Sequence, residues 1–390
     1  MAAQNYEINV AQARLDWIRD RVAAYQWGDA PLLGDNEDPW AYGADLTAMR
    51  ALCAYWLDSY QWQDTQSELE RFAHFTAEID GIDIHFIRED GSGDNPQALL
   101  MTHGWPGSVY EFVEVIDRLA HPENYGGKAE DGLTVICPSL PGYGFSGKPK
   151  RPIGPKSTAA MWDRLMRDVL GFDQYVAQGG DWGSLVTAML GLHHGTDKGG
   201  GCKAIHISMY GARTAAMPEG EAEQAWAMQM AATMQMEGAY LQLQMTKPQS
   251  LGFAMADSPV GQCAWIVEKF HGWSDNLNAQ GRRELARRYT PHQLLSNVMI
   301  YLVNDNFVTS TWFYRGFMEE GADIPDGQRV EIPVGVGNFA EPYITFPPRR
   351  MVEYGYNVVH WNDFDQAGHF AAMEDAPQFV GEVQDFMRKL

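Results

Sequence analysis

Apolar residues near the N-terminus recur at helical spacing. Leu15, Ile18, Val22 and Tyr25 form one set, and Met49, Leu52 and Trp56 another. Between them GDAPLLGDNEDPWAYG is rich in turn residues and reads as a loop. The period then drops to two. Phe75, Ala77 and Ile79 alternate on one arm, Ile82, Ile84 and Phe86 on the next, and Asp80-Gly81 between them predicts a tight β-hairpin. Beyond the hairpin, strands alternate with helices. ALLMTHG (98–104) reads as a strand, followed by a helix from about Val109. LTVICPSL (133–140) is a strand, STAAMWDRLMRDVL (157–170) a helix, and QYVAQG and KAIHISM (203–209) are strands. The β signal fades from about Gly211 to Gly316, where the pattern is helical and rich in Met and aromatics. It returns in VEIPVGVGNF (330–339) and YNVVHWND (356–363), ahead of a closing helix, PQFVGEVQDFMRKL.

This order predicts an α/β fold: a mostly parallel sheet with helices on both faces, interrupted by a helical insertion. Residues 1–73 form an N-terminal helical arm, 74–210 the first part of the α/β core, 211–316 a helical lid, and 317–390 the second part of the core. The lid would sit over the carboxyl ends of the strands, where ligands bind in open α/β sheets.

Composition narrows the function classes. The formal net charge of −22 argues against nucleic-acid binding but does not repel an uncharged substrate. Cys53, Cys137, Cys202 and Cys263 are far apart and form no CxxC pair, so a zinc site or disulfide framework is not expected. Reduced thiols fit a cytoplasmic protein. The N-terminal segment has no apolar signal region, and no run is long enough to span a membrane. The GDNED run lacks the spacing of an EF-hand and reads as a solvated loop. Neither a metal nor an organic cofactor is expected.

The chemistry begins at QGGDWGS (178–184). A strand, a Gly-flanked turn and a helix frame a nucleophile elbow, small-x-nucleophile-x-small, and its central position holds Asp181. A carboxylate attacks esters poorly, because the product would be an anhydride. Toward a strained or activated sp³ carbon it is a good nucleophile, and the product is an ester of the enzyme. His369, in DQAGHFAAMED after the last strand, would activate water to cleave that ester. Glu341, just after the strand ending in GNF, can orient the imidazole, and the order Asp181, Glu341, His369 is that of hydrolase triads. Asp363 and Asp365 are rival acids, closer to His369 in sequence. The loop holding HGWP (103–106) and the residue after the nucleophile would donate backbone N–H groups to an oxyanion hole, from Trp105 and Trp182. On these residues alone the substrate is an epoxide or an alkyl halide.

The sequence resembles the microsomal type of epoxide hydrolase, within the α/β-hydrolase superfamily. The matching motifs are HGWPGS (103–108), PSLPGYGFSGKP (138–149), GGDWGS (179–184), TKP (246–248), DSPVG (257–261), FPPR (346–349) and AGHFAA (367–372), and the N-terminal helices and hairpin match as well. Almost the whole chain is covered. The resemblance implies Asp181 as nucleophile, His369 as base and Glu341 as orienting acid. It adds two lid tyrosines as proton donors to the epoxide oxygen: Tyr240 in GAYLQLQMTKP and Tyr314 in STWFYRGF. Ala367 stands where Gly is usual before the base, and Phe339 where Pro is usual two residues before the acid.

The expected substrate is thus a largely apolar epoxide, opened to a vicinal diol. Met228, Met230, Met234, Met236 and Met245 would suit an adaptable lid pocket. A haloalkane dehalogenase with the same nucleophile is the nearest rival, and a non-catalytic small-molecule binder the rival of another class. A homodimer is the expected assembly.

Overall fold

The computed structural model describes residues 2–34 and 37–390. Its strands are β1 (Gln4–Asn5), β2 (Ala73–Ile79), β3 (Ile82–Glu89), β4 (Gln97–Thr102), β5 (Leu133–Pro138), β6 (Tyr175–Gly179), β7 (Cys202–Ile207), β8 (Val330–Asn338) and β9 (Tyr356–Asp363). They form one nine-stranded sheet in the order β1-β2-β3-β5-β4-β6-β7-β8-β9. The first three strands pair antiparallel with one another, as does β3 with β5, and every later pairing is parallel. The predicted hairpin turn is there: Ile79 faces Ile82, and both Asp80 (φ 55°) and Gly81 (φ 75°) are left-handed, as a type I′ turn requires.

The strands β5 and β6 are buried along their whole length, so both sheet faces are covered. Strand β7 shows how. Ile205 lies against Gly191 of helix Asp181–His194, whereas His206 lies against Phe386 of helix Ala376–Met387. Successive strand residues point to opposite faces, so the two helices flank the sheet on opposite sides.

Two predicted helices differ. The one expected from about Val109 is a 3₁₀ turn, Val109–Phe112, followed by only a short α-helix, Ile116–Ala120. Pro122 disfavours helical geometry in the residue before it, and the helix stops there. The helix expected over 157–170 is α-helical from Pro155 to Arg164 and widens to a π turn over Leu165–Val169.

The insertion comprises helices Gly220–Glu237, Ala239–Thr246, Pro248–Ala256, Pro259–Trp273, Pro291–Val303 and Phe307–Glu320. Three of them begin with Pro, whose missing N–H costs nothing in a first turn. The N-terminal arm grips this insertion. Arg14 donates twice to the Leu302 carbonyl (2.9 and 2.6 Å), the Thr65 hydroxyl meets that of Ser296 (2.6 Å), and Trp40 stacks on His271. All four cysteines are buried free thiols. Among the described residues no helix is long and apolar enough to cross a membrane. Asp35 and Asn36 of the GDNED run lie outside the described residues.

Candidate active site

Strand β4 lies between β5 and β6, so the chain reverses its direction across the sheet here and leaves a crevice at the carboxyl ends. The loop after β4 and the turn after β6 meet in it. Asp181 takes a left-handed conformation (φ 46°), which among residues with a side chain favours Asp and Asn. The turn is tight enough to dictate its neighbours. A Cβ on Gly179 would lie 2.2 Å from the Gly183 carbonyl, and one on Gly183 1.9 Å from the Thr102 oxygen. Glycine on both sides therefore permits the elbow, which lifts the carboxylate at the N-terminus of helix Asp181–His194.

The Trp105 amide donates to Asp181 Oδ1 at 2.7 Å. Asp181 Oδ2 lies 3.2 Å from His369 Nε2, close but without the angle of a hydrogen bond. The other ring nitrogen, Nδ1, is 2.7 Å from Glu341 Oε1. Glu341 is fixed in turn by the Ile344 amide (3.1 Å), and His369 is anchored by its own N–H on the Trp273 carbonyl (3.1 Å). The loop before His369 is closely packed: Ala367 is left-handed (φ 61°), and a Cβ on Gly368 would lie 2.6 Å from the Asp275 amide. Asp363 is exposed and bound to Asn338 and Trp361, and Asp365 is exposed. The sequence-predicted Asp181, His369 and Glu341 thus come together, and the two rival acids do not join them.

Trp182 opens the helix, so its amide is among the first four, which have no intrahelical acceptor. Tyr240 and Tyr314 converge from two lid helices. The ring of Trp105 is stacked on Tyr240 (5.3 Å between centroids, 12°) and edge-on to Tyr314 (5.7 Å). With Asp181, Trp182, Leu185, Met209, Met234 and Phe317 the two tyrosines line a mostly apolar cavity of about 280 Å³. Of the five lid methionines singled out, only Met234 is in that wall. Met228 and Met236 are exposed, because the helix Gly220–Glu237 turns Met230 and Met234 inward at i, i+4 and those two outward.

Charge follows from burial and neighbours. Burial works against a charged His369, but Glu341 and Asp181 outweigh it and hold its pKa well above the ordinary value. Burial, with Asp181 nearby, pushes Tyr240 and Tyr314 well above the usual phenol range, so both hydroxyls keep their protons. Two further residues reach the site. Tyr343 donates to the Tyr240 hydroxyl (3.3 Å) and stacks on Trp273. Its position two residues beyond Glu341 was the available signal. Glu111 is the second; Ser108 and Glu111 carry the S-x-x-E spacing of a capping box, which conceals the carboxyl among ordinary helix caps.

Comparison with known proteins places this geometry. Residues 3–112 match the family model for the epoxide hydrolase N terminus, and residues 97–241 that of the alpha/beta hydrolase fold. A Stigmatella aurantiaca protein assigned to the epoxide hydrolases is 36% identical over 99% of this chain and 84% of its own length. Epoxide hydrolase 1 of Oryctolagus cuniculus is 32% identical over 89% of this chain and 81% of its own. The crystal structure of juvenile hormone epoxide hydrolase from Bombyx mori superposes with a TM-score of 0.83 at 28% identity, covering 100% of this chain and 94% of that one.

Proposed function

The chain belongs to the epoxide hydrolases of the α/β-hydrolase fold, and on that premise we propose a two-step reaction in which Asp181 is the nucleophile. In the first step an Asp181 carboxylate oxygen attacks an oxirane carbon and the C–O bond of the ring breaks. The ring oxygen takes a proton from Tyr240 or Tyr314, which hold it between their hydroxyls. In the second step water attacks Cγ of Asp181 and gives a proton to His369. The amides of Trp105 and Trp182 hold the oxyanion, the ester bond breaks, and the leaving alkoxide takes the proton from His369 to complete a vicinal diol; Asp181, released as the acid, returns the water's second proton to His369 and closes the cycle. Glu341 orients the imidazole.

The observation that carries this reading is a carboxylate with one oxygen on an amide and the other beside a histidine, in the wall of a mostly apolar cavity that two tyrosines also line. The two steps also explain why one histidine can serve both. Before reaction Asp181 keeps His369 protonated. Esterification removes the Asp181 charge and lowers the imidazole pKa, so the His369 proton passes to the tyrosinate left by the first step and a base is free at the moment water must be activated.

The test is one turnover in heavy-oxygen water, followed by peptide mass analysis. The label should enter the carboxylate of Asp181. Label found only in the diol would mean direct attack by water on the epoxide and would end the covalent reading. The indole N–H groups of Trp105 and Trp182 are buried without partners, donors of the kind a halide leaving group uses. Halide release from a haloalkane, assayed beside diol formation, separates that reading. The cavity wall supports a largely apolar epoxide as substrate. A cytoplasmic location and a homodimer complete the proposal, the second open to sedimentation analysis.

A further inference from the structure

Lys269 is a buried cation that the two-step reaction leaves unused. It stands on helix Pro259–Trp273 and is 6% exposed. Lysine is seldom buried so fully unless it is paired. Its partner is Glu268, whose Oε2 lies 2.5 Å from Nζ and whose side chain is partly exposed. An ion pair with a partly exposed carboxylate does not require the ammonium to face inward. Yet Nζ lies 4.6 Å from the ring centroid of Tyr240 and 5.7 Å from that of Trp273.

The two lid tyrosines therefore differ. Tyr240 has the ammonium over its ring, and its hydroxyl oxygen accepts from Tyr343 at 3.3 Å, which leaves its own proton to donate. Tyr314 has neither. Its hydroxyl is buried without a hydrogen-bond partner, and among the described residues no cation lies over its ring.

We infer that Lys269 makes Tyr240 the proton donor of the pair and leaves Tyr314 to hold the oxirane oxygen by a hydrogen bond. This rests on the two-step reading above. As Asp181 attacks, the electron pair of the breaking C–O bond stays on the ring oxygen, and the Tyr240 proton passes to it. The ring oxygen becomes the hydroxyl of the ester intermediate. The negative charge that began on Asp181 ends on the Tyr240 oxygen and, by delocalisation, in its ring. The proton of His369 later returns to Tyr240. A cation is drawn to a neutral phenol face weakly and to a phenolate strongly. Lys269 thus favours the state after the transfer over the state before it, which is the condition for speeding a step. Burial and the Asp181 charge both oppose the phenolate. Esterification removes the second, and the ammonium offsets the first. Lys269 is absent from the wall of the 280 Å³ cavity, so it acts through Tyr240 as a positioning residue.

Styrene oxide is the probe, with rapid quench to resolve ester formation from ester hydrolysis and intact-protein mass to count the ester, over hours where it forms slowly. In Lys269→Met, ester formation should slow by about tenfold or more while hydrolysis stays within about threefold of wild type. Lys269→Arg, which keeps a cation over the ring, should bring ester formation back to within about threefold. Paired variants decide between the tyrosines. In a Tyr240→Phe background Lys269→Met should have no further effect on ester formation, because no phenolate forms under the ammonium. In Tyr314→Phe its full effect should remain. A merely structural lysine gives another pattern. Lys269 also packs on Trp273, whose carbonyl holds the His369 N–H at 3.1 Å, so lost packing would slow ester hydrolysis too and would add to either tyrosine variant. Equal slowing of both steps, an unchanged ester-forming rate in Lys269→Met, no rescue by Lys269→Arg, or a loss as large in Tyr240→Phe as in Tyr314→Phe would each overturn the proposal. Should Lys269→Met not fold by circular dichroism, Lys269→Gln, neutral and able to donate to Glu268, is read by the same criteria. A wild-type enzyme that forms no ester at all would instead defeat the two-step reading itself.

Discussion

Asp181 lies 3.2 Å from His369 and helps to hold its proton, with Glu341 on the far side of the ring. Because the folded pKa of His369 is raised, its proton contributes stability that is fully present below about 6.5, the ordinary histidine value. That contribution is lost as pH rises through the raised value. Unfolding free energy, from urea titrations at a series of pH values, should therefore fall on the alkaline side. Asp181→Asn removes one of the two charges and should move the imidazole titration down, as read from the ring nitrogen signals by NMR. An unchanged titration in that variant would mean that Glu341 alone holds the proton. The sequence led to these three residues because elbow spacing and chain order are local. Glu111 and Tyr343 escaped, because neither spacing nor residue type separates them from a cap and an ordinary loop tyrosine; only the packing of the lid and the loop after β4 turns them inward.

At the level of elements, eight of the nine described strands were legible to within two residues, the central ones because a strand buried on both faces is an unbroken apolar run; β1 (Gln4–Asn5), two exposed residues, carries no such signal. The helices failed where local chemistry competes with period. After HGWPGS the chain makes a 3₁₀ turn and only then a short helix, since Ser108 caps the first and Pro122 ends the second. Elsewhere caps agree with the period. Helix Pro291–Val303 has a full capping box, Thr290 with Gln293, and Pro at its first position. Its next turns carry Ser296, which holds the arm through Thr65, and Asn297, which donates to the Pro106 carbonyl at 2.7 Å. Thr290→Ala should cost about 1 kcal/mol in denaturant unfolding, the usual worth of such a cap. The same helix supports the loop that carries Trp105, so the ester-forming rate is the second quantity to follow. A cap that matters to stability alone would leave that rate unchanged.

Across the molecule the formal net charge is −22. The cavity wall near Asp181 is nonetheless mostly apolar, and the charges of the proposed catalytic set, Asp181, His369 and Glu341, lie close to one another and largely out of solvent. Salt screens exposed charges over about 8–10 Å at physiological strength and buried pairs much less. Stability and turnover should respond differently to salt. Self-repulsion of an acidic surface opposes the folded state, so moderate sodium chloride should raise the melting temperature. An uncharged epoxide feels no steering by that surface, so kcat/KM for styrene oxide should be flat over the same range. An epoxide carrying a carboxylate should behave otherwise, with kcat/KM rising as salt screens the repulsion. Measuring both substrates from low to physiological salt separates surface electrostatics from the site. A steep salt dependence for the uncharged substrate would mean that the Asp181–His369–Glu341 set is reached by solvent ions, against the small exposure of its three side chains.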